Sequence, residues 1–394
     1  MPSGLRLRGR LAPACVAPAR TVCMKSLLKA QPSACEQCLE RARQALGEQR
    51  MRDTLALLDA ACASCQLEAL TPALRCEIGQ MQARAGWALY DLRRAYAGAS
   101  LALSELQAEA RLERVEMLDI ASLCLSGAGL MDEALAVARE AVELATRPPQ
   151  LHPVLPRALG ALAHVYAQLG QYDEAEMLHM QALSRARESQ EPHAMTRAYT
   201  NALLAGALAI DELRRRGEDL QADAMGQRQL RLAFQARSLM EAPEMHLRQR
   251  ASLLLNIGIG MMHGGRLAEA QAMFEQGQAL IHEQELPHAW ASLQHAQGEC
   301  ALLSGELDRA RALLEPLLLP AALQAYPFMR APLLRNALRL YEACGDAPRA
   351  AQFTLRLREL EEDQARQRQQ VGDTLRALRR QTPQWLSGQH DLLR

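Results

Sequence analysis

Small and apolar residues recur at intervals of three and four in the stretch 254–277, on both sides of a Gly264-Gly265 break. This spacing places them on one face of an α-helix, and two successive glycines favour a tight turn. The stretch therefore predicts two short amphipathic helices joined as a hairpin. The same slots are filled about 40 residues later around Gly305, and about 40 residues later again around Gly345.

A glycine followed five positions later by an alanine marks each of these hairpins. The pairs are Gly129/Ala134, Gly170/Ala175, Gly265/Ala270, Gly305/Ala310 and Gly345/Ala350, with steps of 41, 95, 40 and 40 residues. The glycine suits a left-handed turn at the end of the first helix, and the alanine suits a close crossing by the second. Two weaker units, around Thr54 and Ala95, precede them.

The 95-residue step predicts one more hairpin. Its helices would cover Thr196–Leu213 and Gln227–Met240, with Phe234 in the aromatic slot of the repeat. Between them we expect an enlarged, charged turn over 214–226. With this unit the chain contains about eight helix pairs.

One unit carries the signature of a known family. Its matching residues are Leu162, Tyr166, Gly170, Tyr172, Ala175, Ala182 and Leu183. This pattern resembles the tetratricopeptide repeat, although Ala163 replaces a preferred glycine and His179 a preferred aromatic residue. The 40-residue spacing resembles the longer-helix variety found in bacterial sensor and signalling members. The resemblance implies an all-α fold, a right-handed α-solenoid of about eight antiparallel helix pairs, over roughly residues 36–360.

Three segments are expected. Residues 1–34 are basic, contain no acidic residue and are interrupted by proline, so we predict a disordered N-terminal extension. Residues 35–360 form the solenoid. Residues 361–394 form an extended C-terminal helix and tail.

That last helix is predicted to run to Pro383. Leu357, Leu360, Val371 and Leu378 fit a heptad register, which Gln364 and Gln367 interrupt. Two interpretations stay open: a weak two-stranded coiled coil that makes a homodimer through the C-terminal helix, or a lone solvated helix.

Charge and hydropathy limit the partners. The 45 basic and 45 acidic residues cancel, which gives no support for nucleic-acid binding. No run approaches the roughly 18 apolar residues of a membrane span, so no membrane partner is expected. We expect a cytoplasmic protein, because ten cysteines without a secretory signal favour a reducing compartment.

Four of the cysteines invite a metal hypothesis. Cys35 and Cys38 open the first hairpin, and Cys62 and Cys65 close it, in a spacing near that of structural zinc sites. The favoured alternative is that they are small core residues, because each pair shares a helical face with alanines or leucines. We therefore predict no metal site.

Catalytic chemistry is not expected. The chain contains no P-loop, nucleophile elbow, zinc-protease or dinucleotide-binding motif. We predict that the protein is not an enzyme and needs no cofactor.

The predicted working surface is a groove lined by the first helix of each pair. Asn201, Asn256 and Asn336 occupy the same place in their repeats, and resemblance to peptide-binding family members implies that this place faces the groove. The predicted partner-binding residues are Arg197, Asn201, Asn256, His263, His295, Arg335, Asn336 and Arg339. The alternative is that these asparagines tie neighbouring helices together.

The function implied is that of a scaffold. We expect an adaptor or regulatory protein that binds another protein or an extended peptide. The alternative is the sensory half of a bacterial signalling protein, such as a diguanylate cyclase, without its catalytic output domain. Binding of chaperone tails is not expected, because no lysine follows Lys29 to build a carboxylate clamp.

Overall fold

The computed structural model describes residues 34–48, 50–64, 70–146, 154–241, 245, 247–281, 286–326 and 329–381, which form seventeen α-helices and no β-strand. The helices are α1 (Ala34–Gly47), α2 (Met51–Ser64), α3 (Pro72–Ala88), α4 (Leu92–Glu105), α5 (Arg111–Gly127), α6 (Met131–Thr146), α7 (Leu155–Gln168), α8 (Tyr172–Ser189), α9 (Pro192–Arg215), α10 (Asp219–Arg237), α11 (Leu247–His263), α12 (Leu267–Leu280), α13 (Pro287–Leu303), α14 (Leu307–Leu314), α15 (Pro320–Ala325), α16 (Arg330–Ala343) and α17 (Ala347–Gln381).

The helices pack as eight successive pairs, with the short α15 between the last two. The second helix of each pair packs against the first helix of the next pair, so the pairs stack in chain order. This confirms the predicted all-α solenoid of about eight helix pairs.

The turn inside each pair has the predicted geometry. Gly265 has φ of 79°, and its N–H donates to the carbonyl of Met262 at 3.0 Å, while Arg266 N–H donates to the carbonyl of Met261 at 2.9 Å. This pair of hydrogen bonds is a Schellman motif, which satisfies the last carbonyls of the first helix. The same φ and the same two bonds occur at Gly129, Gly170, Gly305 and Gly345.

The alanines that follow these glycines are buried. Ala134, Ala270 and Ala310 are fully buried, and Ala175 and Ala350 nearly so. A small side chain here lets the second helix cross close to the first, as the spacing predicts.

The turn predicted between the two helices of the fifth pair is wrong. Helix α9 ends at Arg215 and α10 begins at Asp219, so there is no enlarged loop over 214–226. Gly217 has φ of 75° and makes the same two turn bonds, and Ala222, five residues on, is fully buried. Phe234 is exposed rather than inward.

The physical reason is helix length. Gly217 divides the 95-residue step into steps of 47 and 48, because α9 and α10 have 24 and 19 residues. Asp219 lies in the first turn of α10, where the helix dipole favours an acidic residue, and the exposed Leu220, Gln221 and Ala224 that follow are good helix formers.

Helix α17 crosses back to the first half of the chain. At 35 residues it is about 52 Å long. Leu357 and Leu360 pack in the core of the last pair, whereas Val371, Leu375 and Leu378 pack in the core formed by α3 to α8. Leu375 is fully buried there.

This packing replaces both expected arrangements of the C-terminal helix. Only its middle, around residues 361–370, is largely exposed, so α17 is not a lone solvated helix. The heptad residues are used inside the same chain, which leaves a homodimer through this helix without its predicted apolar seam.

Some predictions fall outside the described residues. These are the disorder of residues 1–33, the tail from 382 to 394 and Cys65. Cys35 is a buried core residue beside Leu39 and Leu55, Cys38 is half-buried and Cys62 is exposed. Nowhere in the described ranges do three or more candidate metal ligands cluster.

None of the helices in the described ranges combines the length and the apolar character that crossing a bilayer requires.

Replacement of Gly265 by alanine should lower the free energy of unfolding by about 1–2 kcal/mol, because an L-residue is strained at this φ. An added Cβ would contact nothing within 4 Å, so the cost is purely conformational. Gly47 is equally uncrowded but has no positive φ, so Gly47→Ala is the matched control and should be neutral or slightly stabilising. Urea denaturation measures both; equal effects would contradict this account of the turn.

Truncation of Leu375 to alanine should cost about 2–5 kcal/mol, because the side chain is fully buried. Leu355 lies on the same helix, is 59% exposed and provides the control, for which Leu355→Ala should cost less than about 0.5 kcal/mol. Amide hydrogen exchange should rise over 371–381 and over 127–131 in the Leu375 variant alone. Unchanged exchange there would show that α17 is not anchored by this contact.

Candidate functional site

The first helices of the middle and late pairs line two adjoining clefts. The larger, of about 740 Å³, lies over α5, α7 and α9, and the smaller, of about 210 Å³, over α9, α11, α13 and α16. Leu204 and Leu208 of α9 line both. We call this combined surface the inner groove.

Helix α9 forms the centre of the groove because of its residue spacing. Its groove-lining side chains are Arg197, Asn201, Leu204, Leu208, Asp211 and Arg215. They are three or four positions apart, which places them in one line along the helix. A single face of α9 therefore presents an apolar centre between polar ends.

The apolar centre is exposed. Leu204 is 45% and Leu208 47% accessible to solvent, although both are large aliphatic side chains. Ile120, Leu123 and Leu255 extend the apolar lining on neighbouring helices. Exposed apolar side chains that line a cleft are typical of a surface that another molecule covers.

A buried ion-pair network lies at the N-terminal end of the groove. Arg157 Nε is 2.9 Å from Asp119 Oδ2, and Arg157 Nη1 is 3.3 Å from Glu116 Oε1. Arg84 contacts the other oxygen of Glu116 at 2.7 Å. Burial raises the pKa of Asp119 to about 7, because desolvation of the carboxylate outweighs the attraction of Arg157.

Two groove arginines have no counter-ion. Within the described residues, neither Arg197 nor Arg335 makes an ion pair or a hydrogen bond; Arg197 is exposed and Arg335 is half-buried. Burial lowers the pKa of Arg197, and the nearby Arg157 lowers it further. Burial likewise lowers the pKa of Arg335, and Arg215 adds to the effect. A guanidinium in this state gains when an anion reaches it.

The structure places seven of the eight sequence-predicted site residues on the inner groove. Arg197 and Asn201 line the larger cleft; His263, His295, Arg335, Asn336 and Arg339 line the smaller one.

In the smaller cleft the polar side chains contact one another. Asn336 Nδ2 lies 3.0 Å from His295 Nε2, and Arg339 lies 3.6 Å from Glu299. Burial lowers the pKa of His295 and of His263, so both rings are neutral near pH 7. These contacts orient the side chains that a ligand would meet.

Asn256 is placed differently. It is buried, and its amide donates to the carbonyl of Ser252 one turn earlier in α11 at 2.8 Å. It lines neither cleft, whereas its neighbour Leu255 does. This hydrogen bond lies within α11, so it neither faces the groove nor ties Asn256 to a neighbouring helix.

Sequence reasoning missed several groove residues. Leu204, Leu208 and Asp211 of α9 and Asp119 of α5 line the clefts but were not predicted. The leucines could have been found from the line they form with Arg197 and Asn201 along one helix face. Asp119 has no such signal, because its burial depends on contacts between repeats.

Replacement of Asp119 by asparagine should change how stability depends on pH. The pKa of Asp119 is raised above its unfolded value, so the folded protein holds the proton more tightly, and stability from this group is lost as pH rises from about 4 to 7. Measured by urea denaturation, Asp119→Asn should gain roughly 2–4 kcal/mol relative to the unmodified protein between pH 4 and pH 8. A constant difference across this range would show that Asp119 titrates normally.

The family comparison agrees with this geometry. The model of the tetratricopeptide repeat family matches residues 112–188, which cover α5 to α8. A comparison with curated protein sequences gives no match.

Solved structures share the fold at low sequence identity. A Rap protein complexed with competence and sporulation factor is 14% identical, with a TM-score of 0.56 over 86% of this chain and 90% of that one. The apo quorum sensor NprR from B. thuringiensis is 13% identical, with a TM-score of 0.41 over 88% and 97%. A tetratricopeptide repeat protein from Parabacteroides merdae is 18% identical, with a TM-score of 0.41 over 72% and 91%.

The last two scores are too low to support any argument. The tetratricopeptide repeat model matches residues 112–188, the same glycine turns and buried alanines continue through the later helix pairs, and the chain shares the overall fold of the Rap protein.

Proposed function

We propose that the protein is an adaptor or regulatory scaffold that binds an extended segment of a partner protein, or a free peptide, in the inner groove. The observation that carries the proposal is the exposed apolar centre formed by Leu204 and Leu208 between two arginines without counter-ions. The Rap protein of similar fold was crystallised with a bound factor, which supports the same use of this fold.

The side chains of the groove indicate which side chains the bound segment should carry. An apolar side chain of the ligand would cover Leu204 and Leu208, which removes apolar area from water. Carboxylates on either side would reach the exposed Arg197 and the half-buried Arg335, because a carboxylate can accept two hydrogen bonds from one guanidinium. The expected ligand is therefore an extended peptide with an apolar residue between acidic ones.

The polar side chains supply backbone recognition. Asn201 makes no hydrogen bond within the described residues, and its amide lies against Gly160 on the neighbouring helix. A free amide at this position can donate to and accept from an extended peptide backbone. Asn336 is held by His295 and so presents a fixed orientation.

The experiment starts from a displayed library of random peptides selected on the full chain. The strongest peptide is then synthesised, and its affinity for groove variants is measured by fluorescence polarisation. The double variant Leu204→Ala/Leu208→Ala should weaken binding by about 5–30-fold, because each truncation removes apolar contact area. Leu220→Ala, at an 89% exposed leucine on α10, is the matched control and should bind normally.

The arginines are tested with the same peptide. Arg335→Ala should weaken binding about tenfold or more and reduce its salt dependence, because one carboxylate contact is lost. Arg309→Ala is the control, because Arg309 is already paired with Glu275 and Glu306 on an exposed surface. Asn256→Ala should leave affinity unchanged. Equal affinity of the groove and control variants would refute binding in the inner groove.

A further inference from the structure

A second cavity lies beside α9 and shares His179 and Ala205 with the larger cleft of the inner groove. It has a volume of about 210 Å³ and is enclosed by α8, α9 and α10. Its floor is Ala202, Ala205, Gly206 and Ala209 of α9. We call it the back cavity. Neither the family match nor the proposed function accounts for it.

Two buried polar side chains line the back cavity without partners. His179 of α8 is 5% exposed, and neither of its ring nitrogens has a hydrogen-bond partner in the described residues. Gln229 of α10 is 6% exposed, and its Oε1 also has none. Buried polar groups are normally paired, so these three atoms mark a place where hydrogen bonds are expected.

The backbone makes room for this arrangement. A Cβ added at Gly206 would lie 1.9 Å from Gln229 Nε2, so any other residue would displace the amide. The alanines beside Gly206 have small side chains, so the floor of the cavity is flat. Met180 and Met225 stand at the sides, and their flexible side chains adapt to the shape of a guest.

Charged side chains also line the cavity. Glu176 Oε1 lies 2.9 Å from Arg228 Nε, both side chains are partly exposed, and the exposed Arg231 is a further lining residue. His179 itself is neutral at pH 7, since burial and the nearby His164 lower its pKa to about 4. A neutral imidazole offers one N–H donor and one acceptor nitrogen, and Gln229 Oε1 offers an acceptor. The part of the cavity beside His179 and Gln229 therefore suits an uncharged group, because neither of these side chains carries a charge to pair with an ion.

We propose that the back cavity binds a small, planar, uncharged molecule that carries a hydrogen-bond donor and acceptor side by side, such as a primary amide or the edge of a nucleobase. The donor of the ligand meets Gln229 Oε1, and its acceptor meets the N–H of His179. The flat ring lies on the alanine and glycine floor of α9. This site adjoins the inner groove, with which it shares His179 and Ala205, but it does not include Leu204 or Leu208, on which the proposed function rests.

The test uses nicotinamide and adenine as probes, one for each source of the same polar edge, and benzoate as a charged control. Saturation-transfer NMR on the full chain should show nicotinamide or adenine bound with a Kd of about 5 mM or tighter, and benzoate bound at least about tenfold more weakly. Which of the two probes binds identifies the source. No saturation transfer to either probe at a probe concentration of about 5 mM would overturn the proposal.

His179→Phe keeps an aromatic ring in the cavity wall but removes both nitrogens. It should reduce binding about tenfold or more, and Gln229→Leu should do the same through loss of the acceptor. His193→Phe is the matched control, because His193 is an exposed histidine of α9 that lines neither the back cavity nor the inner groove, and the affinity of this variant for the probe should stay within about twofold.

Circular dichroism confirms that each variant is folded, and Gln229→Leu decides the outcome should His179→Phe unfold. Equal binding by the folded variants and the control would overturn the proposal. A crystal of the full chain soaked in the bound probe and showing only water in the back cavity would overturn it as well.

Discussion

The left-handed turn at the end of the first helix, seen in seven of the eight pairs that the structure describes, is the constraint on which the architecture depends. A positive φ reverses the chain within three residues, and the paired turn bonds close the helix end without a loop. The second helix must then return close to the first, which a small residue at the crossing permits. Even Tyr90, with φ of 61° and the same two bonds, follows this geometry where no glycine is present. Repetition of this one turn brings the first helices together along the inner groove.

Much of this fold could be predicted because the repeat is local. A glycine and an alanine five residues apart report on one turn, so their positions are readable without knowledge of distant contacts. The turn at Gly217 obeyed the same rule and was misplaced only because the charged residues after it resemble a loop. These residues form a helix because polar residues are compatible with a helix when they lie on its solvent side. The site was predictable to the extent that it depends on place within the repeat, as for Asn201 and Asn336.

The rest depends on long-range contacts that a repeat pattern does not contain. Nothing near Leu375 in sequence indicates that it packs against helices more than 200 residues earlier. The burial of Asp119 and the separate role of Asn256 also arise from the neighbouring repeats. Buried ion pairs such as Asp119 with Arg157 contribute little to stability compared with apolar packing. Their place in the groove is therefore better explained by the charge pattern they create than by the stability of the fold.

Helix α17 has a mechanical consequence. A stack of repeats in which each unit contacts only its neighbours bends and unfolds piecewise, with each interface contributing separately. By joining the last pair to the core of α3 to α8, α17 connects two distant parts of this series with one stiff rod. Opening or tightening of the groove would then strain α17 or its packing against the core of α3 to α8. The curvature of the solenoid therefore depends on all of these contacts together. A partner that alters the spacing of the middle repeats would therefore also shift the last helix pair.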